Sequence, residues 1–148
     1  MSERQPDSAP EITVIDDDNE LLKLMVLLLR RLGAHTTTIS DGHEALAYLA
    51  NHVPNLIILD LMLPQVSGFE ILQRVRNDER FDRVPVLILS AKVDPGTIRQ
   101  VLEAGADGYV TKPYIANSFI DRVRLLLTAG RQHPSLSEPD LPAQPSER

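Results

Sequence analysis

From residue 12 to residue 127 the chain alternates short apolar, β-branched runs with longer stretches of helical period, five times over. Such alternation is typical of βα units that build a parallel sheet. The apolar runs predict strands at Ile12–Asp16, His35–Thr38, Asn55–Asp60, Pro85–Ser90 and Gly108–Thr111. The intervening stretches predict helices at Asn19–Leu32, Gly42–Asn51, Gly68–Asn77, Pro95–Ala104 and Ala116–Ala129.

Residues at the ends of these stretches support the boundaries. Gly33 and Gly105 follow the first and fourth helical stretches, where glycine tolerates the left-handed backbone that ends many helices. Asp41 and Asp94 stand where helix N-caps are expected, and Pro95 follows at the first helical position. We therefore predict an α/β fold with a doubly wound, five-stranded parallel sheet, since a closed barrel of eight units needs about 250 residues.

The two ends of the chain differ from this block. Residues 1–10 and 129–148 together hold six of the eleven prolines, and neither has an apolar period that could pack against a core. We therefore expect a flexible N-terminal tail at 1–10, a folded domain at 11–128 and a flexible, Pro/Ser-rich C-terminal tail at 129–148.

Composition narrows the classes of function. The chain has 148 residues, enough for one core, and its 43% hydrophobic residues are ordinary for a globular protein. The absence of cysteine excludes disulfides, thiolate metal sites and thiol nucleophiles. The longest apolar run, Leu24–Leu29, is far shorter than the roughly 20 residues that cross a bilayer, so we expect a cytoplasmic protein that does not enter the membrane. A net charge of −6 with scattered basic residues argues against direct binding of nucleic acid.

Reactive side chains stand where four of the five apolar runs end. They belong to Asp16, Asp17, Asp18, Asp60, Ser90 and Lys112. Because the carboxyl ends of parallel strands share one edge of the sheet, we expect a single pocket with at least three carboxylates, one hydroxyl and one ammonium group. Mg²⁺ suits such a pocket, because it is a hard cation that takes one or two carboxylates together with water and phosphate oxygens.

This set of groups suits phosphoryl transfer, with Asp60 as the nucleophile and Lys112 and a metal ion neutralising the phosphoryl oxygens. Each signal also has an ordinary interpretation. The aspartate run could cap a helix, Asp60 could be an unremarkable strand-end residue, Ser90 could form a turn, and Lys112 could be a solvated lysine before a loop proline. Their joint placement at one edge favours the functional interpretation.

Five segments resemble, in order and spacing, the receiver domain of two-component response regulators: ITVIDDDNE, SDGHEAL, LIILDLMLPQVSGFEIL, VPVLILSA and AGADGYVTKPY. The resemblance covers residues 11–128. It implies a flavodoxin-like sheet of strand order 2-1-3-4-5, with five helices distributed over both faces.

The resemblance also implies roles for individual residues. Asp60 matches the phospho-accepting aspartate, and Lys112 matches the lysine that pairs with the phosphoryl group. Ser90 takes the place of the switch hydroxyl, and Tyr109 matches the aromatic residue that turns inward when this hydroxyl moves toward the phosphoryl group. The bond between Lys112 and Pro113 is typically cis in the family, a rare arrangement elsewhere in proteins.

The implied cofactor is Mg²⁺. Asp17 matches the acidic residue that binds the ion directly, and Asp16 matches the neighbour that acts through water. Asp60 and the backbone carbonyl of Met62 complete the implied ligand set. One departure from the family pattern is Gln65, which stands where glycine is common.

The resemblance further implies a sensor histidine kinase or a phosphotransfer protein as phosphoryl donor, with the receiver catalysing the transfer itself. It therefore implies a signalling switch and not a turnover enzyme. Phosphorylation is expected to alter the face built by the fourth helix, fifth strand and fifth helix, here Ile98–Ala104, Tyr109 and Ile115–Leu127. The stretch SFIDRVRLLL resembles fifth helices that dimerise through this face, so a phosphorylation-dependent homodimer is expected. The downstream target would be another protein or a separate output domain.

Two other functions fit parts of the pattern. A haloacid-dehalogenase-type phosphatase also uses an aspartate nucleophile, but this chain lacks the threonine that follows that motif and a cap domain, and Asp60 would be unexplained. A phosphorylation-independent binding module would have a degenerate pocket, whereas every pocket group is present here. The 21 residues after Leu127 are too few for a DNA-binding module, and the start at Met1 with a polar end favours a stand-alone receiver over a fragment.

Overall fold

The computed structural model describes residues 8–92, 94–113 and 116–131. The predicted tails therefore fall mostly outside the described residues, as does Ile115 of the predicted switch face. The strands are β1 (Glu11–Ile15), β2 (His35–Ile39), β3 (Leu56–Leu59), β4 (Val86–Ser90) and β5 (Gly108–Thr111). The helices are α1 (Asn19–Arg30), α2 (Gly42–Leu49), α3 (Gly68–Arg76), α4 (Pro95–Glu103) and α5 (Ala116–Ala129).

All five strands lie parallel in one sheet of order β2-β1-β3-β4-β5. The order reverses between β1 and β3, so the loops that follow these two strands open into one crevice at the carboxyl edge. The doubly wound fold and its strand order are confirmed.

The helices cover both faces of the sheet and create two cores. On one face α2, α3 and α4 pack over the sheet through residues such as Leu49, Leu72 and Val101. On the other face α1 and α5 contribute Met25 and Phe119 to a second cluster of fully buried side chains. All four residues of β3 are buried, because helices cover this central strand on both sides.

Two of the predicted strands, the first and the third, ran one residue too far at their carboxyl ends, whereas the fourth and fifth end as predicted. β1 ends at Ile15 and β3 at Leu59, so Asp16 and Asp60 belong to the loops. The backbone N–H of Asp16 still donates to Ile39 O at 3.0 Å, and that of Asp60 donates to Ile15 O at 3.0 Å. The backbone of each aspartate thus makes the last hydrogen bond between two neighbouring strands, and its side chain belongs to the loop that follows.

Helix starts were predicted more accurately than helix ends. All five starts agree with the structure, and Asp41 and Asp94 accept hydrogen bonds as N-caps from the first turns of α2 and α4. Four helices end one or two residues early, as α1 does at Arg30, before Gly33 turns the chain with φ of 70°. A single 3₁₀ turn at Glu79–Phe81, capped by Asp78, was not predicted.

Within the described part of the chain, no helix has both the length and the apolar character required to cross a membrane.

Candidate functional site

The loops after β1 and β3 bring three carboxylates together at the carboxyl edge of the sheet. Asp16, Asp17 and Asp60 each offer an oxygen, and these oxygens lie within 4.8 Å of one another. Asp16 and Asp60 are buried, whereas Asp17 is exposed to solvent. The predicted acidic pocket is therefore formed by two neighbouring aspartates and by Asp60, which lies 43 positions after Asp17 in the sequence.

Local hydrogen bonds fix the orientation of the two buried carboxylates. Asp16 Oδ1 accepts from the backbone N–H of Asp18 at 2.9 Å, and Asp60 Oδ1 accepts from the backbone N–H of Met62 at 3.0 Å. Asp18 in turn caps α1 by accepting from two N–H groups of its first turn. These bonds hold one oxygen of each aspartate against its own loop and leave the other directed at the shared pocket.

The start of α3 packs tightly against the Asp60 loop. The N–H of Gly68 donates to Leu61 O at 3.1 Å. A Cβ atom at Gly68 would lie 2.0 Å from the backbone oxygen of Asp60, so only glycine fits here. The position of Asp60 is consequently set by backbone packing from both sides.

Lys112 places its ammonium group between the two buried carboxylates. Its Nζ lies 2.8 Å from Asp16 Oδ2 and 3.2 Å from Asp60 Oδ2. Burial lowers the pKa of Lys112, but the hydrogen bond and charge of Asp16, together with Asp60, outweigh it and raise the pKa overall. Lys112 is held next to β4 by a backbone bond from its N–H to Ser90 O at 2.9 Å, and its bond to Pro113 is cis.

The charges of this pocket do not balance. Three carboxylates face a single ammonium group, and burial raises the pKa of Asp16 despite the hydrogen bond from Lys112. Within the described residues, the ion pair with Lys112 is the only polar partner of the buried Asp16 Oδ2. Oxygen donors with excess negative charge fit a hard divalent cation such as Mg²⁺, which would bind the carboxylates as oxygen ligands.

A second group of residues links β4 to β5 beside the pocket. Ser90 is fully buried, and its Oγ accepts from the backbone N–H of Lys92 at 3.4 Å. Tyr109 is 2% exposed, and its hydroxyl donates to the backbone carbonyl of Lys92 at 2.5 Å. Burial raises the pKa of the Tyr109 phenol, and a hydrogen bond with Ser90 partly offsets this increase. Tyr109 thus lies inward, in contact with the loop that follows Ser90.

The structure therefore places the predicted site residues in two connected groups. Asp16, Asp17, Asp60 and Lys112 surround the acidic pocket, while Ser90 and Tyr109 form the adjoining pair. The side chain of Met62 points outward, 54% exposed, consistent with a role limited to its backbone.

Two features of the structure were not predicted from the sequence. The carbonyl of Lys92 accepts the Tyr109 hydroxyl, but a backbone acceptor has no sequence signature. Asp107 is a buried carboxylate that binds Arg76 and Arg131, at the edge of the sheet opposite the pocket. Its position just before β5 could have drawn attention, since an aspartate next to a buried strand needs partners.

Residues 12–124 match the family described as the response regulator receiver domain. The chain belongs to this family. The receiver domain is 37% identical over 124 residues to the DNA-binding response regulator MtrA of Mycolicibacterium smegmatis, covering 84% of this chain and 53% of that protein. It is 41% identical over 118 residues to the DNA-binding dual master transcriptional regulator RpaA of Synechocystis, covering 80% of this chain and 49% of that protein. The chain thus spans about half the length of these relatives.

Solved receiver structures agree with the fold of this receiver domain. The receiver domain of the Francisella response regulator 1452 superposes with a TM-score of 0.75 at 31% identity, covering 81% of this chain and 98% of that one. The chemotaxis response regulator CheY4 of Vibrio cholerae superposes with a TM-score of 0.74 at 26% identity, covering 81% of this chain and all of that one. The chain is therefore a signalling domain of the two-component type.

Proposed function

We propose that this receiver domain accepts a phosphoryl group on Asp60 from the phosphohistidine of a partner kinase or phosphotransfer protein. The observation that carries this proposal is the buried Asp60 carboxylate, which belongs to the acidic cluster and lies 3.2 Å from the ammonium group of Lys112. Such an arrangement offers a nucleophilic oxygen together with charges of both signs, as in-line phosphoryl transfer requires.

In the proposed step, an Asp60 carboxylate oxygen attacks phosphorus as the P–N bond to the partner histidine breaks. The electron pair of that bond returns to the imidazole, which is protonated on its other nitrogen and leaves as neutral histidine. Lys112 exchanges its contact with Asp60 for a phosphoryl oxygen, and the Ser90 hydroxyl donates a hydrogen bond to another. The product is an acyl phosphate on Asp60.

The proposed cofactor is Mg²⁺, held by Asp17 directly, by Asp16 through water, by Asp60 and by the carbonyl of Met62. When bound, the ion supplies positive charge that offsets the phosphoryl oxygens. The support is the excess of carboxylates over ammonium groups and the poorly partnered Oδ2 of Asp16.

The proposed switch joins Ser90, Lys92 and Tyr109. If Ser90 moves toward a phosphoryl group, its contacts with the Lys92 loop and with Tyr109 change together, because all three residues share hydrogen bonds. Tyr109 belongs to β5, one of the three elements of the face formed by α4, β5 and α5, and its side chain is buried. We propose that this face binds the downstream protein or a second copy of the chain.

Several expectations remain predictions. The domain boundaries at 11 and 128 are proposed, and the described structure continues to Arg131. Two relatives carry the word DNA-binding in their names, and the chain spans about half of their length, so absence of nucleic-acid contact stays a prediction. The cytoplasmic location is likewise a prediction.

Peptide mapping after chemical trapping tests the proposal. The protein is incubated with a small acyl phosphate and Mg²⁺ and then treated with borohydride, which reduces an aspartyl phosphate to the alcohol. We expect residue 60 to be recovered as homoserine, and Asp16 and Asp17 to be recovered unchanged. Reduction at another aspartate, or at none under conditions where the protein stays folded, would contradict Asp60 as the acceptor.

A further inference from the structure

Asp107 is the centre of a buried ionic cluster at the amino edge of the sheet, far from the acidic pocket. Its side chain is 0% exposed. Oδ2 accepts from the backbone N–H of Val86 at 2.9 Å and from Arg76 Nη2 at 3.0 Å, and Oδ1 accepts from Arg131 Nε at 2.9 Å. A carboxylate this deeply buried needs an opposite charge and hydrogen-bond donors for its oxygens, and the two arginines supply both here.

Among the described residues, the planar guanidinium group of Arg131 donates to three acceptors. Besides the bond from Nε to Asp107, Nη2 donates to Gly105 O at 3.0 Å and Nη1 donates to Asp82 O at 3.4 Å. These acceptors belong to the connection between α4 and β5 and to the segment before β4. Arg76 donates to Gly105 O as well, at 2.9 Å, so the same carbonyl receives both guanidinium groups.

The backbone before Arg131 turns it toward this cluster. α5 ends at Ala129, and Gly130 follows with φ of 82°, a left-handed conformation that glycine adopts without strain. The N–H of Gly130 donates to Leu126 O at 3.1 Å and closes the helix end. Arg131 is therefore the second residue beyond α5, and its side chain is bound to the connection between α4 and β5.

We propose that Arg131 is a latch that fixes the position at which the chain leaves the receiver domain. Its guanidinium group donates to Gly105 O and to Asp107, so residue 131 is held against the α4–β5 connection as well as by its covalent link to α5. The position of residue 131 is then set by the positions of Gly105 and Asp107. This proposal goes beyond the acceptor role of Asp60 and does not depend on it.

Limited trypsin digestion of the full chain tests this latch through the rate of cleavage between Arg131 and Gln132. Trypsin must bind the Arg131 side chain in its own pocket to cut this bond, so the contacts with Asp107 and Gly105 must first break. The informative variant is Arg131→Lys, which keeps the positive charge and the trypsin cleavage site but lacks the planar guanidinium group with its several N–H donors. The cleavage rate of each protein after residue 131 is divided by the cleavage rate of a synthetic peptide that has the same sequence as that protein over residues 126–138. The matched control is Arg124→Lys, on an exposed arginine of α5 whose side chain pairs with Asp121.

We expect wild type and Arg124→Lys to be cut after residue 131 equally slowly relative to the peptide, and Arg131→Lys to be cut about tenfold faster than they are, as hydrogen bonds to a charged group are lost. Unfolding in urea, followed by circular dichroism, reports the global stability of each variant separately from this cluster. Equal protection of wild type and Arg131→Lys, or equal acceleration by Arg124→Lys, would overturn the latch. So would an acceleration in Arg131→Lys that its loss of global stability accounts for in full.

Discussion

Asp16, Asp17 and Asp18 follow one another in the chain, yet their side chains serve different purposes. Asp16 is buried and paired with Lys112, Asp17 is exposed at the rim of the pocket, and Asp18 caps α1. The capping and metal-binding interpretations of this run are therefore compatible, because each applies to a different residue. Of this run, only Asp16 and Asp17 add negative charge to the pocket, together with Asp60.

The raised pKa of Asp16 gives a prediction for Mg²⁺ binding. Burial makes the folded protein hold this proton to a higher pH than the unfolded chain, whose ordinary value is 3.8. The stability contributed by protonated Asp16 is full below that value and is lost as the pH rises through the folded-state pKa. A proton and Mg²⁺ compete for the same carboxylate.

We therefore expect the Mg²⁺ affinity of wild type, measured by calorimetry, to fall as the pH is lowered. This fall should begin at a higher pH than it would for a carboxyl group with the ordinary pKa of 3.8. Asp16→Asn should weaken Mg²⁺ binding about 10- to 100-fold at neutral pH, as loss of an outer ligand does. An affinity in Asp16→Asn equal to that of wild type would show that Asp16 takes no part in holding the ion.

At the scale of elements, the site depends on how closely α3 approaches the loop after β3. Gly68→Ala would bring a methyl group 2.0 Å from the Asp60 carbonyl, so the helix start and the acceptor loop must separate. We expect the free energy of unfolding in urea to fall by about 1–3 kcal/mol, the usual cost of overpacking.

Gly96→Ala is the matched control for this glycine substitution. A Cβ atom at Gly96 in α4 meets only Asp94 Oδ2, at 3.7 Å, which is ordinary contact. Because alanine is the better helix former, we expect a gain of up to about 1 kcal/mol. If both variants lost the same stability, close packing at Gly68 would not be the cause.

The order of elements was predictable, whereas their exact ends were not. The alternation of apolar runs with stretches of helical period predicted five strands and five helices, because the spacing of apolar residues indicates which face of each element is buried. The 3₁₀ turn at Glu79–Phe81 escaped, since three residues are too few to show a period. Gln65 illustrates the same limit. Its φ of 67° explains why glycine is favoured at this position, but a glutamine in a loop sequence does not indicate a left-handed backbone conformation.

For the whole molecule, the proposed output face gives a prediction about association. It consists of α4, β5 and α5, and α5 carries the exposed apolar residue Leu125. We expect beryllofluoride with Mg²⁺, a mimic of the phosphoryl group, to shift wild type toward a dimer in gel filtration. Asp60→Asn should not respond. An elution profile that the mimic leaves unchanged would count against phosphorylation-dependent dimerisation.

The convergence of the pocket was predictable from the sequence for a reason that concerns the whole fold. Parallel strands bring their carboxyl ends to one edge, so Asp16, Asp60, Ser90 and Lys112 had to lie near one another once the sheet was inferred. No such rule covers Arg131. Its partners depend on the turn at Gly130 and on a buried carboxylate across the sheet, which no local pattern encodes.

Phosphorylation at Asp60 is tested most directly by the intact mass of the protein after incubation with a small phosphodonor, measured for wild type and Asp60→Asn with and without Mg²⁺. We expect a gain of one phosphoryl group in wild type with Mg²⁺, and no gain without the ion or in the variant. An equal gain in Asp60→Asn, or no gain in folded wild type with Mg²⁺ present, would contradict it.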